Sequence, residues 1–198
     1  MPTGDRLTFD ATHHEYHLDG DPVTSVTQAI EAAHLVDTRW FKDEHAARGT
    51  AVHNKIYCVL ARLVDRFTAD DPHIGYLKAA HQFMEDSQLQ PIELEMPVYD
   101  EIFRTAGTLD VIGSTPGGTV LVDWKTGAPA PWHGIQLAGY ARMARDVHTI
   151  DVRMTVHLKK NGTYSTKTSW KDTPFMFDVW DKTWIAVAQL NRARKELL

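Results

Sequence analysis

Asp110 interrupts an apolar run formed by Leu109, Val111 and Ile112, on a segment whose pattern predicts a central strand. An unpaired carboxylate in such a place costs several kcal/mol or is forced neutral, so a positive group belongs next to it. Thirteen residues on, Asp123-Trp124-Lys125 sets a carboxylate and an ammonium two positions apart. Strand side chains alternate, which sends Asp123 and Lys125 to one face and Trp124 to the other. The tight connection from Ser114 to Gly118 makes the two strands neighbours and brings Asp110 and Asp123 close enough to share a cation. Two carboxylates converging on one point repel each other, and a divalent metal ion is the ordinary remedy.

A D-x-K tripeptide alone is common on solvated strands, so the residues around it matter. Upstream, Arg48-Gly49-Thr50-Ala51-Val52-His53 predicts a helix that starts with a glycine and carries an imidazole near its N-terminus. Downstream, Gln136 and Tyr140 stand at i and i+4 of another predicted helix, where their side chains are neighbours. Taken singly, His53 reads as a satisfied core or surface histidine, and Gln136 with Tyr140 as an amphipathic rim.

The elements that must position these residues are legible as changes of period. Leu7 to Asp10 and Glu15 to Leu18 predict a hairpin, and Asp19-Gly20-Asp21 a second turn before a helix start. Ser25 and Gln28 have capping-box spacing, with a helix from Val26 to Leu35. Val52, Ile56, Val59, Leu60, Leu63, Val64 and Phe67 make the apolar face of a long helix, and another helix is expected from Ile74 to Ser87. Leu94, Met96 and Val98 then alternate with Glu93, Glu95 and Tyr99. Strands are expected there, through Ile102 to Thr105, over Thr108 to Gly113 and over Thr119 to Asp123, as an antiparallel meander. A helix from His133 to Arg145 leads to a strand over Val152 to Leu158, and Lys160-Asn161-Gly162 turns it into Thr163 to Trp170. A last helix, Phe177 to Leu197, is expected to carry Trp180, Trp184, Val187 and Leu190 toward the core. The fold class expected is α/β (α+β), a central mixed sheet flanked by helices.

Composition limits what such a chain does. Its 198 residues, 43% hydrophobic, fit a single domain spanning 1–198. With 21 Lys and Arg against 26 Asp and Glu, the formal net charge is -5, so the surface is not basic as a whole. Any nucleic-acid contact is then local, through a groove. Basic residues gather at Arg39, Lys42, Arg48 and Lys55, and at Lys159, Lys160, Lys167 and Lys171, although ordinary solvated side chains are the plainer reading of each. Cys58 is the one cysteine, which excludes an intrachain disulfide, a four-thiolate iron–sulfur cluster and a cysteine-rich zinc site. Met1 to Thr8 is polar, unlike a signal peptide, and no stretch approaches the roughly 20 apolar residues of a membrane span. A soluble, cytoplasmic protein is expected, for which the sequon Asn161-Gly162-Thr163 has no meaning. His14-Glu15-Tyr16-His17 lacks the spacing of the H-E-x-x-H zinc motif, and no G-x-x-x-x-G-K-[ST] phosphate loop occurs. Trp132, Trp170, Trp180 and Trp184 could stack bases, with core or rim packing the plainer role for most.

The order R-G-x-x-x-H, G-x-x-D, D-x-K-T-G and Q-x-x-x-Y, here Arg48–His53, Gly107–Asp110, Asp123–Gly127 and Gln136–Tyr140, resembles the RecB-like branch of the PD-(D/E)XK nuclease superfamily. The segment His14 to Gln28 looks like the opening of stand-alone, often phage-encoded members. The resemblance implies a restriction-endonuclease-like core and a DNA substrate. It also implies a metal held by His53, Asp110, Asp123 and the backbone carbonyl of Trp124, with Lys125 aligning and activating the attacking water. Gln136 and Tyr140 are carried over as residues that contact DNA or support the active site. Glu95 is open to two readings, a further acidic participant or an exposed structural carboxylate. Oxygen ligands suit Mg²⁺, and one imidazole suits Mn²⁺ equally. The cation would neutralise phosphoryl oxygens and acidify a water, while Lys125 adds positive charge where the pentavalent transition state develops. Having only Cys58, the chain departs from the iron–sulfur subgroup and is closer to plain exonucleases of recombination, repair or phage DNA processing, with a recombination partner protein possible. An endonuclease on the same fold and a non-catalytic DNA- or protein-binding module are the rival readings.

Overall fold

The computed structural model describes residues 6–10, 13, 15–36, 43–64, 67–171 and 173–196. Arg39 and Lys42, singled out above, lie outside the described residues, as does His14. The first two strands, β1 (Leu7–Asp10) and β2 (Glu15–Leu18), form the expected hairpin. Asp19 and Gly20, both at positive φ (55° and 89°), turn the chain next. Between that turn and the helix, Asp21–Ser25 forms a third strand, β3, antiparallel to β2, which was not assigned from the sequence. Ser25 then caps α1 (Val26–Ala32): its hydroxyl accepts from the Gln28 N–H at 3.1 Å, and Gln28 Oε1 accepts from the Ser25 N–H at 2.9 Å. That helix stops short of Leu35, since His34 turns left-handed (φ 58°).

The long helix α2 runs Asp43–Leu60. It passes straight through Gly49, so His53 lies in its interior and not at its start. It also ends before the stripe does: Arg62 takes φ 57°, and Leu63 and Val64 are exposed. Helix α3 (Ile74–Ser87) has the expected bounds and closes on a left-handed Gln88. Next come β4 (Gln90–Asp100), β5 (Thr105–Thr115) and β6 (Gly118–Lys125), an antiparallel meander. The strand expected through Ile102 to Thr105 is absent but for Thr105, which opens β5. Residues 101–104 turn, with the Asp100 carboxylate accepting from the Phe103 N–H at 2.9 Å and Arg104 at φ 53°. Helix α4 (Trp132–Ala144) carries the chain from β6 to β7 (Val152–Leu158), parallel to it; β8 (Tyr164–Trp170) returns antiparallel, and α5 (Pro174–Glu196) ends the described chain.

The result is a mixed sheet, in the order β1-β2-β3-β5-β6-β7-β8 with β4 alongside β5, flanked by helices on both faces. Two large clusters divide most of the core. Leu109, Ile112 and Leu121 pack with Val26, Ile30, Ala138 and Trp184 under α1, α4 and α5. Val111, Val122, Trp124 and Val156 pack with Val52, Ile56, Leu77 and Phe83 under α2 and α3. Trp184 and Val187 of α5 are buried as expected, but Leu190 is 45% exposed and does not reach the core. Among the described residues no helix is long and apolar enough to cross a membrane.

One irregularity in the sheet positions the polar residues. The β5–β6 ladder runs from Thr115↔Gly118 to Val111↔Val122 and goes no further. Beyond it β6 stays with β7 through Lys125↔His157, while the far end of β5 turns to β3 through Thr105↔Thr24. The two strands part where Asp110 and Asp123 stand.

Candidate active site

A parting of strands leaves backbone groups without ladder partners, and buried ones need replacements. Asp110 supplies one: its Oδ2 accepts from the Trp124 N–H at 2.7 Å. The other peptide group of the same residue, the Trp124 carbonyl, lies 2.7 Å from Nε2 of His53 on α2. The second nitrogen of His53, Nδ1, faces Asp110 Oδ1 at 3.4 Å. Trp124 thus has its ring in the α2–α3 core and its two peptide groups on the candidate site.

Glu95 completes this half. It falls between the pairs Leu94↔Val111 and Met96↔Leu109, opposite Asp110, with a left-handed backbone (φ 46°). A non-glycine residue held there is strained, and such strain collects at functional positions. One ligand atom each from His53, Glu95 and Asp110 lies within 4.8 Å of the others. Burial raises the Glu95 carboxyl to about 7, with Asp110 and Asp123 adding to the effect. Burial opposes the His53 imidazolium, yet the Asp110 carboxylate beside it holds it up at about 9. Asp110 is also buried, but His53 brings its carboxyl below the usual range.

The other half is built on Asp123 and Lys125. Asp123 is 3% exposed, and its Oδ2 lies 2.6 Å from the Lys125 ammonium. Burial and the nearby Asp110 charge push its carboxyl up, against the pull of Lys125. Lys125 Nζ donates a hydrogen bond to Gln136 Oε1 at 2.9 Å. Gln136 in turn donates from Nε2 to the Tyr140 hydroxyl at 3.2 Å and to Thr27 Oγ1 at 3.4 Å. The i, i+4 neighbours on α4 therefore form a chain that ends on the ammonium. Burial raises the Tyr140 phenol well above its ordinary value, so it stays a neutral hydroxyl.

All seven candidate residues meet at one place, but in two groups. His53, Asp110 and both peptide groups of Trp124 belong to the first; Asp123, Lys125, Gln136 and Tyr140 belong to the second. Asp123 lies outside the three-residue ligand group, whose third member is Glu95. Glu95 was left open by the sequence because alternation places it on a strand and nothing in the pattern signals its left-handed backbone. Thr27 was missed altogether, although it stands two residues after the recognised N-cap.

Between α2 and the loop after β6 lies a cavity of about 830 Å³, bordered by Arg48, His53, Lys125 and Trp132. The loop is fastened by two histidines. His157 Nδ1 donates to the Gly127 carbonyl at 3.0 Å, and His133 Nδ1 accepts from the Ala130 N–H at 3.3 Å. The late basic residues Lys159, Lys160, Lys167 and Lys171 are exposed on or beside the β7–β8 hairpin.

No protein-family model matches the chain, and no curated protein matches it. Among solved structures it is similar to the alkaline exonuclease LHK-Exo from Laribacter hongkongensis, at a TM-score of 0.41 and 8% identity over 89% of this chain and 95% of that one. It is likewise similar to LHK-Exo in complex with dAMP, at a TM-score of 0.42 and 12% identity with the same coverage.

Proposed function

We propose that this chain is a divalent-metal-dependent deoxyribonuclease that hydrolyses phosphodiester bonds, acting from DNA ends in recombination, repair or phage DNA processing. The observation that carries this reading is the triad of His53, Glu95 and Asp110 within 4.8 Å of one another, set against the Asp123–Lys125 ion pair. The donor set fits a hard or borderline divalent cation, Mg²⁺ or Mn²⁺. Three carboxylates and one imidazole crowd the parting of β5 and β6. Burial, with the Asp110 and Asp123 charges adding to it, raises Glu95 to about 7, and the Asp110 carboxylate holds His53 up at about 9 against its burial. His53, Glu95 and Asp110 would hold a divalent ion, with Asp123 and the Trp124 carbonyl at hand, and such an ion would offset the crowded carboxylate charge.

A cation bound there supplies charge neutralisation at the phosphoryl oxygens and a more acidic water. The chain's own residues supply the rest. Lys125 presents a fixed ammonium, restrained by Asp123 and Gln136, where negative charge grows on the phosphate. Gln136, held by Tyr140 and Thr27, aims that ammonium, and Asp110 holds the Trp124 peptide in place.

The test is degradation of end-labelled single-stranded, double-stranded and circular DNA over a titration of Mg²⁺ and of Mn²⁺, with wild type beside Lys125→Ala. Linear DNA is expected to be degraded and circles spared, with the variant slower by roughly 100-fold or more. Cleavage of circles would move the reading to an endonuclease. Equal, negligible degradation by both proteins would leave a binding module.

A further inference from the structure

The cavity beside Lys125 contains two groups that the reaction, as derived, does not use. Trp132, on the first turn of α4, is half-buried, with its ring 5.6 Å from the Lys125 ammonium and edge-on to His133 at 4.2 Å between centroids. Arg48, also lining the cavity, reaches the Thr126 carbonyl with one guanidinium nitrogen at 3.4 Å and lies over the Tyr76 ring, while its Nε, buried, has no hydrogen-bond partner. The space between, about 830 Å³, lies in the range of cavities that enclose small ligands, roughly 300–1,000 Å³, and is larger than an ion and its waters need. Its wall from Gly127 to Pro131 is mostly apolar, and His133 and His157 hold it in place. An aromatic ring, a cation lining the same space and a fixed apolar wall match one nucleotide: a planar base, a sugar and an anionic phosphate.

On the nuclease reading above, we infer that this cavity receives a single nucleotide of the strand, its base stacked on Trp132 and its phosphate facing Arg48. A base inside a duplex cannot occupy such a pocket without leaving its stack. The site therefore selects strands whose base is already free, at an end or in single-stranded DNA.

Binding of deoxyadenosine 5′-monophosphate and of deoxyribose 5-phosphate is compared by calorimetry, in chelator so that the reaction is silent. Wild type is expected to prefer the nucleotide by roughly tenfold, which corresponds to about 1.4 kcal/mol. Trp132→Ala should abolish the preference, Trp132→Phe should keep most of it, and Arg48→Ala should weaken both ligands by a similar factor. In a second arm, wild type should degrade an oligonucleotide lacking its terminal base more slowly than the intact one, and Trp132→Ala should treat the two alike. A nucleotide preference absent from wild type, or unchanged in both Trp132 variants, overturns the inference even if DNA is degraded. A Trp132-dependent preference in a protein that degrades no DNA leaves the subsite standing and removes the nuclease reading.

Discussion

Asp110 does two jobs with one carboxylate, and isosteric replacement separates them. One oxygen accepts from the Trp124 N–H at 2.7 Å, and the other faces His53 with charge. Asparagine retains an acceptor oxygen and loses the charge, whereas alanine loses both and leaves a buried N–H unsatisfied, at about 1–3 kcal/mol. Asp110→Asn is therefore expected to unfold somewhat below wild type in chelator, because the buried His53 loses the charge beside it, and Asp110→Ala at a distinctly lower temperature still. Mn²⁺ should raise the unfolding temperature of wild type, as any ligand of the folded state does, and should raise that of neither variant. A wild-type-sized rise in Asp110→Asn would remove Asp110 from the ligand set. Asp110 was legible from the sequence as a candidate ligand because a charge inside an apolar strand is conspicuous. Glu95 was not, because its role depends on a backbone angle that side-chain pattern does not encode.

Among the elements, α4 sits unusually deep, and small residues let it do so. A Cβ on Gly134 would lie 2.6 Å from the Trp180 ring of α5, and one on Gly139 would lie 3.1 Å from Trp184. On the sheet side, a Cβ on Gly107 of β5 would lie 2.6 Å from Cε1 of Tyr140. Gly107 is needed for room, and the tyrosine it admits anchors the Gln136–Lys125 chain. Gly107→Ala is expected to cost about 1–3 kcal/mol by overpacking and to lower kcat roughly tenfold by shifting Tyr140. Gly113→Ala gives the comparison, since its Cβ would meet Leu89 at 2.6 Å and the Gln90 backbone at 2.8 Å, away from the Gln136 chain. It should lose similar stability with kcat unchanged. Equal kcat in the two variants would show that Tyr140 is packing alone. Local signals fixed α1, α3 and β7 within a residue or so of their expected starts, since caps and periods are properties of short segments. The pairing of β3 with β5 and the early start of α2 were not legible, because each depends on neighbours far along the chain.

For the whole molecule, the buried histidines that fasten the loop after β6 make folding sensitive to acid. Burial holds His133 down to about 3, with the Lys125 and His157 charges acting in the same direction, and burial lowers His157 too. An unfolded histidine takes up its proton near pH 6.5, so below that value the unfolded chain binds protons that the folded one refuses. Stability from His133 is thus complete above about pH 6.5 and is lost as pH falls toward 3, at about 1.4 kcal/mol per pH unit. Glu95 acts in the opposite sense: raised to about 7, it binds its proton better in the folded chain and lowers stability as pH rises from its unfolded value toward 7. The two slopes oppose each other over the upper part of the acid range, so the wild-type profile alone does not separate them. His133→Asn does, because its side-chain oxygen can accept from the Ala130 N–H as Nδ1 does and has no proton to gain. In chelator, denaturant unfolding of this variant is expected to match wild type within about 1 kcal/mol at pH 8 and to fall less steeply between pH 6 and 4.5. That window lies above the titration of most aspartates, which keeps their contribution out of the comparison. Acid limbs that run parallel in the two proteins would mean that His133 is protonated in the folded chain, and that neutral histidines do not hold the loop.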